Sequence, residues 1–241
     1  MIFQIGNLGT DCSFYQDNNF TVRKIDFQKM KDAGAKFVFL RGGQNNWIDE
    51  DLRDYINAVR NILPWGSYWF YDSRSSPASQ AQLWKTALGT DVPKILCVDL
   101  EESYGGAYKG ERYWKEFISA CETAFPNSTI MIYTANWWWA SQVVNDPAFF
   151  AKFPLWVAQY TPQAADVVLP LPWRNKQAHI WQWTDKGDGL KHGVESLSID
   201  LDYWNANFDF NSFWGVVQPQ PYMNISIKLM PDGTATWREE E

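Results

Sequence analysis

The sequence predicts an α/β fold: one closed β/α barrel of eight strands, with helices after the first five strands only. Three observations predict it. Short β-branched or aromatic runs alternate with helical patterns through about the first 144 residues. Three further apolar runs follow, joined by segments rich in Pro, Gly, Asp and Lys that lack helical periodicity. The total of eight runs fits a chain of 241 residues, the length of one large domain.

The elements follow in order. A first strand is expected over residues 5–12 and a helix near 26–33, closed by Gly34. The strand at 36–41 leads to a helix at 49–63 that puts Leu52, Tyr55, Ile56, Val59 and Leu63 on one face. Strand three spans 65–71. The helix at 77–88 has Pro77 in its first turn, where the missing N–H costs nothing. Strand four spans 94–100, and a long helix at 109–125 is stopped by Pro126-Asn127. Strand five at 129–134 precedes a short aromatic helix near 137–144. Strands six, seven and eight are expected at 155–160, 179–183 and 197–202. Alternating β and α argues for parallel pairing with right-handed crossovers, closed as a TIM-like barrel. The barrel is assigned residues 1–215. Residues 216–241 read as a linker (Pro219-Gln220-Pro221-Tyr222) and a β-hairpin around Pro231-Asp232-Gly233, either an extension of the barrel or the start of a further module.

Composition narrows the function. The 21 basic against 28 acidic residues, net charge −7, form no basic cluster, so nucleic acid is not an expected partner. No apolar run is long enough to insert in a membrane. Residues 1–13 lack the basic-then-apolar order of a signal peptide, and none is expected. Three scattered cysteines and two histidines offer no zinc pattern, so neither metal nor cofactor is expected. His179, inside an apolar strand, reads as a satisfied core histidine. Aromatic residues reach 17%, with 15 Trp. Many of these must be half exposed, where their faces can stack on sugar rings.

The strongest local signal is Ile95-Leu96-Cys97-Val98-Asp99-Leu100-Glu101-Glu102. Side chains alternate along a strand, so Ile95, Cys97, Asp99 and Glu101 share the inward face. Two acids ending an apolar strand stand at the C-terminal mouth, where barrel active sites lie. Their Cα atoms are about 6.5–7 Å apart, close enough that one acid can keep its proton while the other ionises. Glycoside cleavage uses such a pair. Asp11 ends strand one, Asp200 and Asp202 lie in strand eight beside it, and Arg41 ends strand two as a counter-charge. Aromatic side chains occupy the same rim: Tyr68 and Tyr71, Tyr133, Trp156 and Tyr160, Trp181 and Trp183. Of Trp137-Trp138-Trp139, at least one must be exposed or face the groove.

Taken in order, Asp11-Cys12-Ser13-x-x-Gln16, Ile25-Asp26-Phe27, Phe37-Val38-Phe39-Leu40-Arg41, Gly66-Ser67-Tyr68-Trp69-Phe70, Val98-Asp99-Leu100-Glu101, Ile132-Tyr133-Thr134, Leu155-Trp156-Val157-Ala158-Gln159-Tyr160, Trp181-Gln182-Trp183 and Ile199-Asp200-Leu201-Asp202 resemble glycoside hydrolase family 25, the N-acetylmuramidase lysozymes. The likeness runs over residues 5–213. It implies a barrel with five helices and three bare final strands. It also implies hydrolysis of the β-1,4 bond between N-acetylmuramic acid and N-acetylglucosamine in bacterial peptidoglycan. The family's proton donor falls on Glu101, its partner on Asp99, and its first- and last-strand acids on Asp11 and Asp200, with Asp202 the competing choice. Tyr68, Tyr133 and Trp156 match groove positions; Arg41, Tyr160 and Trp181 join them as substrate-binding candidates from their strand-end placement.

The mechanism expected has Glu101 protonate the glycosidic oxygen while Asp99 steadies the substrate's own acetamido group as it attacks C1; an inverting path through the same residues is the alternative, because sequence does not fix their distances. The implied partner is the peptidoglycan glycan strand, met by a monomer acting on the cell wall as a phage lysin or a secreted protein. Departures are Cys12 where an aliphatic is usual, Trp69 for a common His, and a longer 16–25 connection. A chitin-type hydrolase with the same D-x-E logic, and a glycan-binding barrel without turnover, are the alternatives.

Overall fold

The computed structural model describes residues 3–17, 24–101, 108–142 and 144–216, together with the backbone of two strands at 225–229 and 235–239. In chain order the strands are β1 (Ile5–Cys12), β2 (Phe37–Gln44), β3 (Trp47–Ile48), β4 (Trp65–Phe70), β5 (Ile95–Asp99), β6 (Thr129–Ala135), β7 (Leu155–Ala158), β8 (Ile180–Asp188), β9 (Ser198–Asn205), β10 (Ile225–Leu229) and β11 (Ala235–Glu239). The helices are α1 (Phe27–Asp32), α2 (Leu52–Val59), α3 (Pro77–Leu88), α4 (Glu111–Ala124), α5 (Asn136–Trp139), α6 (Pro147–Phe150) and α7 (Phe210–Trp214).

The sheet runs β1-β9-β8-β7-β6-β5-β4-β2-β3 and closes through β1–β2, giving an eight-stranded barrel with β3 hung on its edge. The expected count and order of strands are therefore observed, with helices following the first five. Pairing is parallel from β1 through β2 and on to β8. The last strand corrects the expectation: β9 is antiparallel to both β8 and β1. Only residues 189–197 separate β8 from β9. A parallel return needs a crossover of a dozen or more residues, so the chain must turn straight back. The second addition is β3. Asn45 takes φ 56°, a left-handed conformation asparagine tolerates, and turns β2 back on β3 with Gln44 opposite Trp47.

Helix and barrel meet through the alternate face of each strand. Leu96, Val98 and Leu100 pack outward, while Ile95 and Cys97 belong to the barrel interior. α2 buries Leu52, Tyr55, Ile56 and Val59, and α4 buries Trp114, Phe117, Ile118 and Cys121, each a stripe at i, i+3, i+4, i+7. Asp26 caps α1 by accepting from the Lys29 N–H at 2.9 Å, and Ser76 caps α3.

A column of rings fills the interior. Trp214 of α7 stands 4.9 Å from Phe37 and 5.3 Å from Phe39 (centroid distances). Phe39 stacks on Trp156 at 4.6 Å, and Tyr133 meets Trp156 edge-on at 4.8 Å. Each such side chain contributes about 1.5–3 kcal/mol through burial. Gly9 lets Phe37 in, since a Cβ there would lie 2.2 Å from the ring. The column makes the barrel a solid pedestal whose upper end, Trp156, is the floor of a cleft.

The expected hairpin is observed as β10 paired antiparallel with β11. Its proposed turn at Pro231-Asp232-Gly233, the linker at Pro219–Tyr222, and Glu102 lie outside the described residues.

Candidate active site

The cleft opens at the C-terminal ends of the parallel strands and encloses ≈ 300 Å³. Asp11, Arg41, Tyr68, Asp99, Glu101, Tyr133, Trp156, Tyr160 and Asp200 all line it. Nine of the eleven residues singled out from the sequence thus come together from seven different segments.

Strand register explains the convergence. Asp99 ends β5 and sits between Phe70 of β4 and Tyr133 of β6, and Tyr133 is in turn paired with Trp156 of β7. Glu101 follows two residues later on the same face. Asp11 is directly opposite Asp200 across β1–β9. Because β9 runs backwards, Asp200 reaches the mouth from the start of its strand, not from the end as expected.

Two expected residues do not line the cleft. Trp181 faces outward: its indole donates to the Gln159 carbonyl at 2.7 Å and its ring meets Phe3. Trp183 shares that outer side, packed on Tyr203. The physical reason is alternation: on β8 the residue between them, Gln182, is the one that points in. Asp202 points inward but one pair deeper than Asp200. It is wholly buried, and accepts from the Trp156 indole at 2.8 Å. Asp202 therefore anchors the cleft floor and is no rim acid. Tyr71, another rim expectation, stacks on Phe117 of α4 behind the barrel. His179, expected as a satisfied core histidine, precedes β8 and stacks at 3.8 Å on Phe208; among the described residues its Nδ1 has no hydrogen-bond partner, and burial lowers its pKa to about 4.

Several lining residues escaped the sequence reading. Ser13, Tyr15 and Gln16 form a capped turn directly after β1, and Phe70 ends β4. Trp137 is the exposed member of its triplet, tilted against Tyr160 at 5.9 Å. Gln182 joins Asp11 to the rim phenols: its Nε2 donates to Asp11 Oδ2 at 2.9 Å, and its Oε1 accepts from Tyr133 at 2.9 Å and Tyr160 at 3.2 Å.

Electrostatics in this pit are one-sided. Burial raises Asp99 well above the ordinary carboxylate range, and the neighbouring Glu101 raises it further while Arg41 pulls it down. Burial also lifts Glu101 to about 7, helped by Asp200 and opposed by Arg41. Asp11 is raised by burial, then by Asp200 and Asp202. Asp200 reaches about 6 through burial and Asp185, held down by a hydrogen bond from Asp11. At neutral pH the cluster keeps protons that free carboxyls would have lost. Arg41, the cation of the cleft wall, lies 5.3 Å from the Trp47 ring centroid and bonds Gln44, so it acts at a distance on the acids.

These shifts make stability depend on pH. Each acid binds its proton more tightly folded than unfolded, so the folded state holds more protons between roughly 4 and 7. Stability is full below that window and falls as pH rises through Asp200 near about 6 and Glu101 near about 7. The unfolding midpoint should drop from pH 4 to pH 7, and Asp200→Asn should flatten the slope. Calorimetry across that range checks it; a rising midpoint contradicts it.

The comparisons agree with the geometry. The family model for glycosyl hydrolases family 25 matches residues 10–191. Lysozyme M1 of Streptomyces globisporus is 26% identical over 216 residues, covering 84% of this chain and 69% of that protein. A muramidase structure from Acremonium alcalophilum superposes with TM-score 0.68 at 22% identity, covering 87% of this chain and 98% of that one. A bacterial lysozyme from Streptomyces coelicolor gives TM-score 0.68 at 20% identity, covering 88% and 96%. With the family model spanning most of the barrel, the chain belongs to glycosyl hydrolases family 25 and is a glycoside hydrolase.

Proposed function

We propose that this protein is a lysozyme that hydrolyses the β-1,4 bond between N-acetylmuramic acid and N-acetylglucosamine in bacterial peptidoglycan. The carrying observation is the Asp99–Glu101 pair over the Trp156 floor, with Glu101 held near about 7. A general acid works best with a pKa near the working pH. Glu101 gives its proton to the glycosidic oxygen as the bond to C1 breaks. The carbonyl oxygen of the sugar's 2-acetamido group attacks C1 and forms an oxazolinium ring.

Asp99 steadies the positive charge by accepting from the acetamido N–H. Its Oδ1 is buried and, among the described residues, has no hydrogen-bond partner, so it is an acceptor available to such a donor. Glu101, now anionic, takes a proton from water as the water opens the ring at C1. Configuration at C1 is retained, a substrate-assisted variant of the two-carboxylate scheme. Asp200 opposes loss of the proton from Glu101. Tyr68, Tyr133, Trp156 and Tyr160 supply faces and hydroxyls for the sugars, and Arg41 balances charge.

In this reading residues 1–215 carry the chemistry as a monomer at the cell wall, and the β10–β11 hairpin is an extension of the barrel or the start of a further module. Among the described residues no helix is long and apolar enough to cross a membrane. Lysozyme M1, a relative named as a lysozyme, supports the same substrate class. Digestion of purified peptidoglycan with mass analysis of the fragments tests it. The expected products carry N-acetylmuramic acid at their reducing ends. Reducing-end N-acetylglucosamine, or release only from chitin, overturns the bond assignment.

A further inference from the structure

We propose that Tyr15 and Trp47 form a remote saccharide subsite that pairs across the acids with Trp137 and Tyr160, so that the cleft grips sugars on both sides of the bond it breaks and favours long glycan strands over short ones. The proposal deepens the hydrolase reading above and rests on it.

Most rings of this chain are packed inside. Among the residues whose side chains are described, the exposed Trp and Tyr residues are Tyr15, Trp47, Trp137 and Tyr160. One exposed ring is ordinary on a protein surface. Here all four gather at the C-terminal mouth, in two pairs. Around the closed barrel the strands run β1-β2-β4-β5-β6-β7-β8-β9. Asp99 and Glu101 come from the end of β5, and Asp11 and Asp200 from β1 and β9 on the far side of the circle. The acids therefore divide the mouth into two halves. In one half, β6 and β7 lead into Trp137 and Tyr160, with ring centroids 5.9 Å apart. In the other, Tyr15 follows β1, and Trp47 lies on β3, hung on the edge of β2.

The second pair is continuous with the cleft. Phe14 stands between its members, 4.0 Å from Tyr15 and 5.2 Å from Trp47 by ring centroids. Tyr15, Arg41 and Phe70 line the cleft itself, and the Arg41 guanidinium lies 5.3 Å from the Trp47 ring and 5.9 Å from the Phe70 ring. Past Trp47 a second hollow of ≈ 430 Å³ is bordered by Asn45, Asn46 and Arg74. Their amides and guanidinium offer hydrogen bonds to hydroxyl and acetamido groups, while the rings offer faces to the C–H side of a sugar. The platform is held in place before any ligand arrives: Gln44 donates to Asp72 Oδ2 at 3.3 Å, the Asp49 N–H to the Gly42 carbonyl at 3.1 Å, and the Phe14 N–H to Asp49 Oδ2 at 3.0 Å. Platforms on both sides of the acids favour the glycan backbone over its peptide branches, which leave that path.

A tetrasaccharide and an octasaccharide of alternating N-acetylglucosamine and N-acetylmuramic acid, each with and without stem peptides, test this. The wild type should cleave the peptide-free octasaccharide with the higher kcat/KM. Trp47→Ala should shrink that advantage about fivefold, chiefly through KM, and Trp47→Phe should restore part of it. Trp137→Ala should move the cut along the octasaccharide in the direction opposite to Trp47→Ala, read as product lengths by mass. Equal losses on both lengths, with the cut unmoved, would mean that Trp47 only steadies Arg41 and would overturn the proposal. A loss confined to peptide-bearing strands would overturn it too, by giving this face to the stem peptide. Calorimetric titration of the octasaccharide into Glu101→Gln, with and without Trp47→Ala, reads the subsite without turnover; binding should weaken about fivefold in the double variant. A wild type that opens no glycosidic bond would sink the hydrolase reading, while that titration would still decide the role of Trp47.

Discussion

Glu101→Gln is expected to abolish wall lysis, lowering kcat by about 10³-fold or more, while the barrel stays folded. Glutamine keeps the volume and can still hydrogen-bond a sugar oxygen, but its amide does not release a proton to a leaving group. Binding should survive, so KM should move little while kcat collapses. The fold should not suffer, because the variant removes a buried acid that resists ionisation near about 7. The wild type should lose kcat/KM above pH 7 as Glu101 surrenders its proton, and the residual activity of the variant should lack that limb. Reducing-end release and a thermal scan on the same samples suffice. Full turnover in a folded variant would remove Glu101 from the reaction.

That proton depends on features with very different visibility in the sequence. The D-x-E run was legible because alternation on one apolar strand dictates that Asp99 and Glu101 share a face. Asp11 and Tyr133 were legible for the same reason, each sitting at the end of a parallel strand. The error at Trp181 came from reading aromatic type ahead of alternation: Trp181 and Trp183 share one face of β8, and that face packs against Phe3 and Tyr203. Gln182 was quoted within the motif, yet a lone amide carries no chemical signal until its three partners, distant in sequence, are seen around it.

Asp202 looks no different from Asp200 in sequence. Their separation into a floor anchor and a rim acid depends on the β1–β9 register and on the Trp156 indole reaching only the deeper one. The reversal of β9 was available from the short, Gly-containing 189–197 segment, but the alternating rhythm upstream argued the other way. What sequence alone cannot carry is such tertiary register, because it depends on how long each connection is against how far it must travel.

Asp99→Asn should cost about 10²–10³-fold in kcat. Asp99 is 4% exposed, with Oδ1 unpartnered among the described residues, at the end of β5 under the cleft. If its task is to accept the acetamido N–H and balance the oxazolinium charge, asparagine fails on both counts, being neutral and free to present its own N–H to that donor. Two consequences separate this from loss of packing. First, a thiazoline mimic of the intermediate should bind the wild type more tightly than the substrate does, and lose that advantage in the variant. Second, the repulsion that Glu101 exerts on Asp99 acts equally in the other direction. Removing the acid at position 99 should let Glu101 ionise more easily, so the alkaline limb of kcat/KM should move to lower pH. A merely loosened barrel would lower the unfolding midpoint without shifting that limb. Unchanged affinity for the mimic, with the limb in place, would mean that Asp99 does not support an acetamido-assisted step.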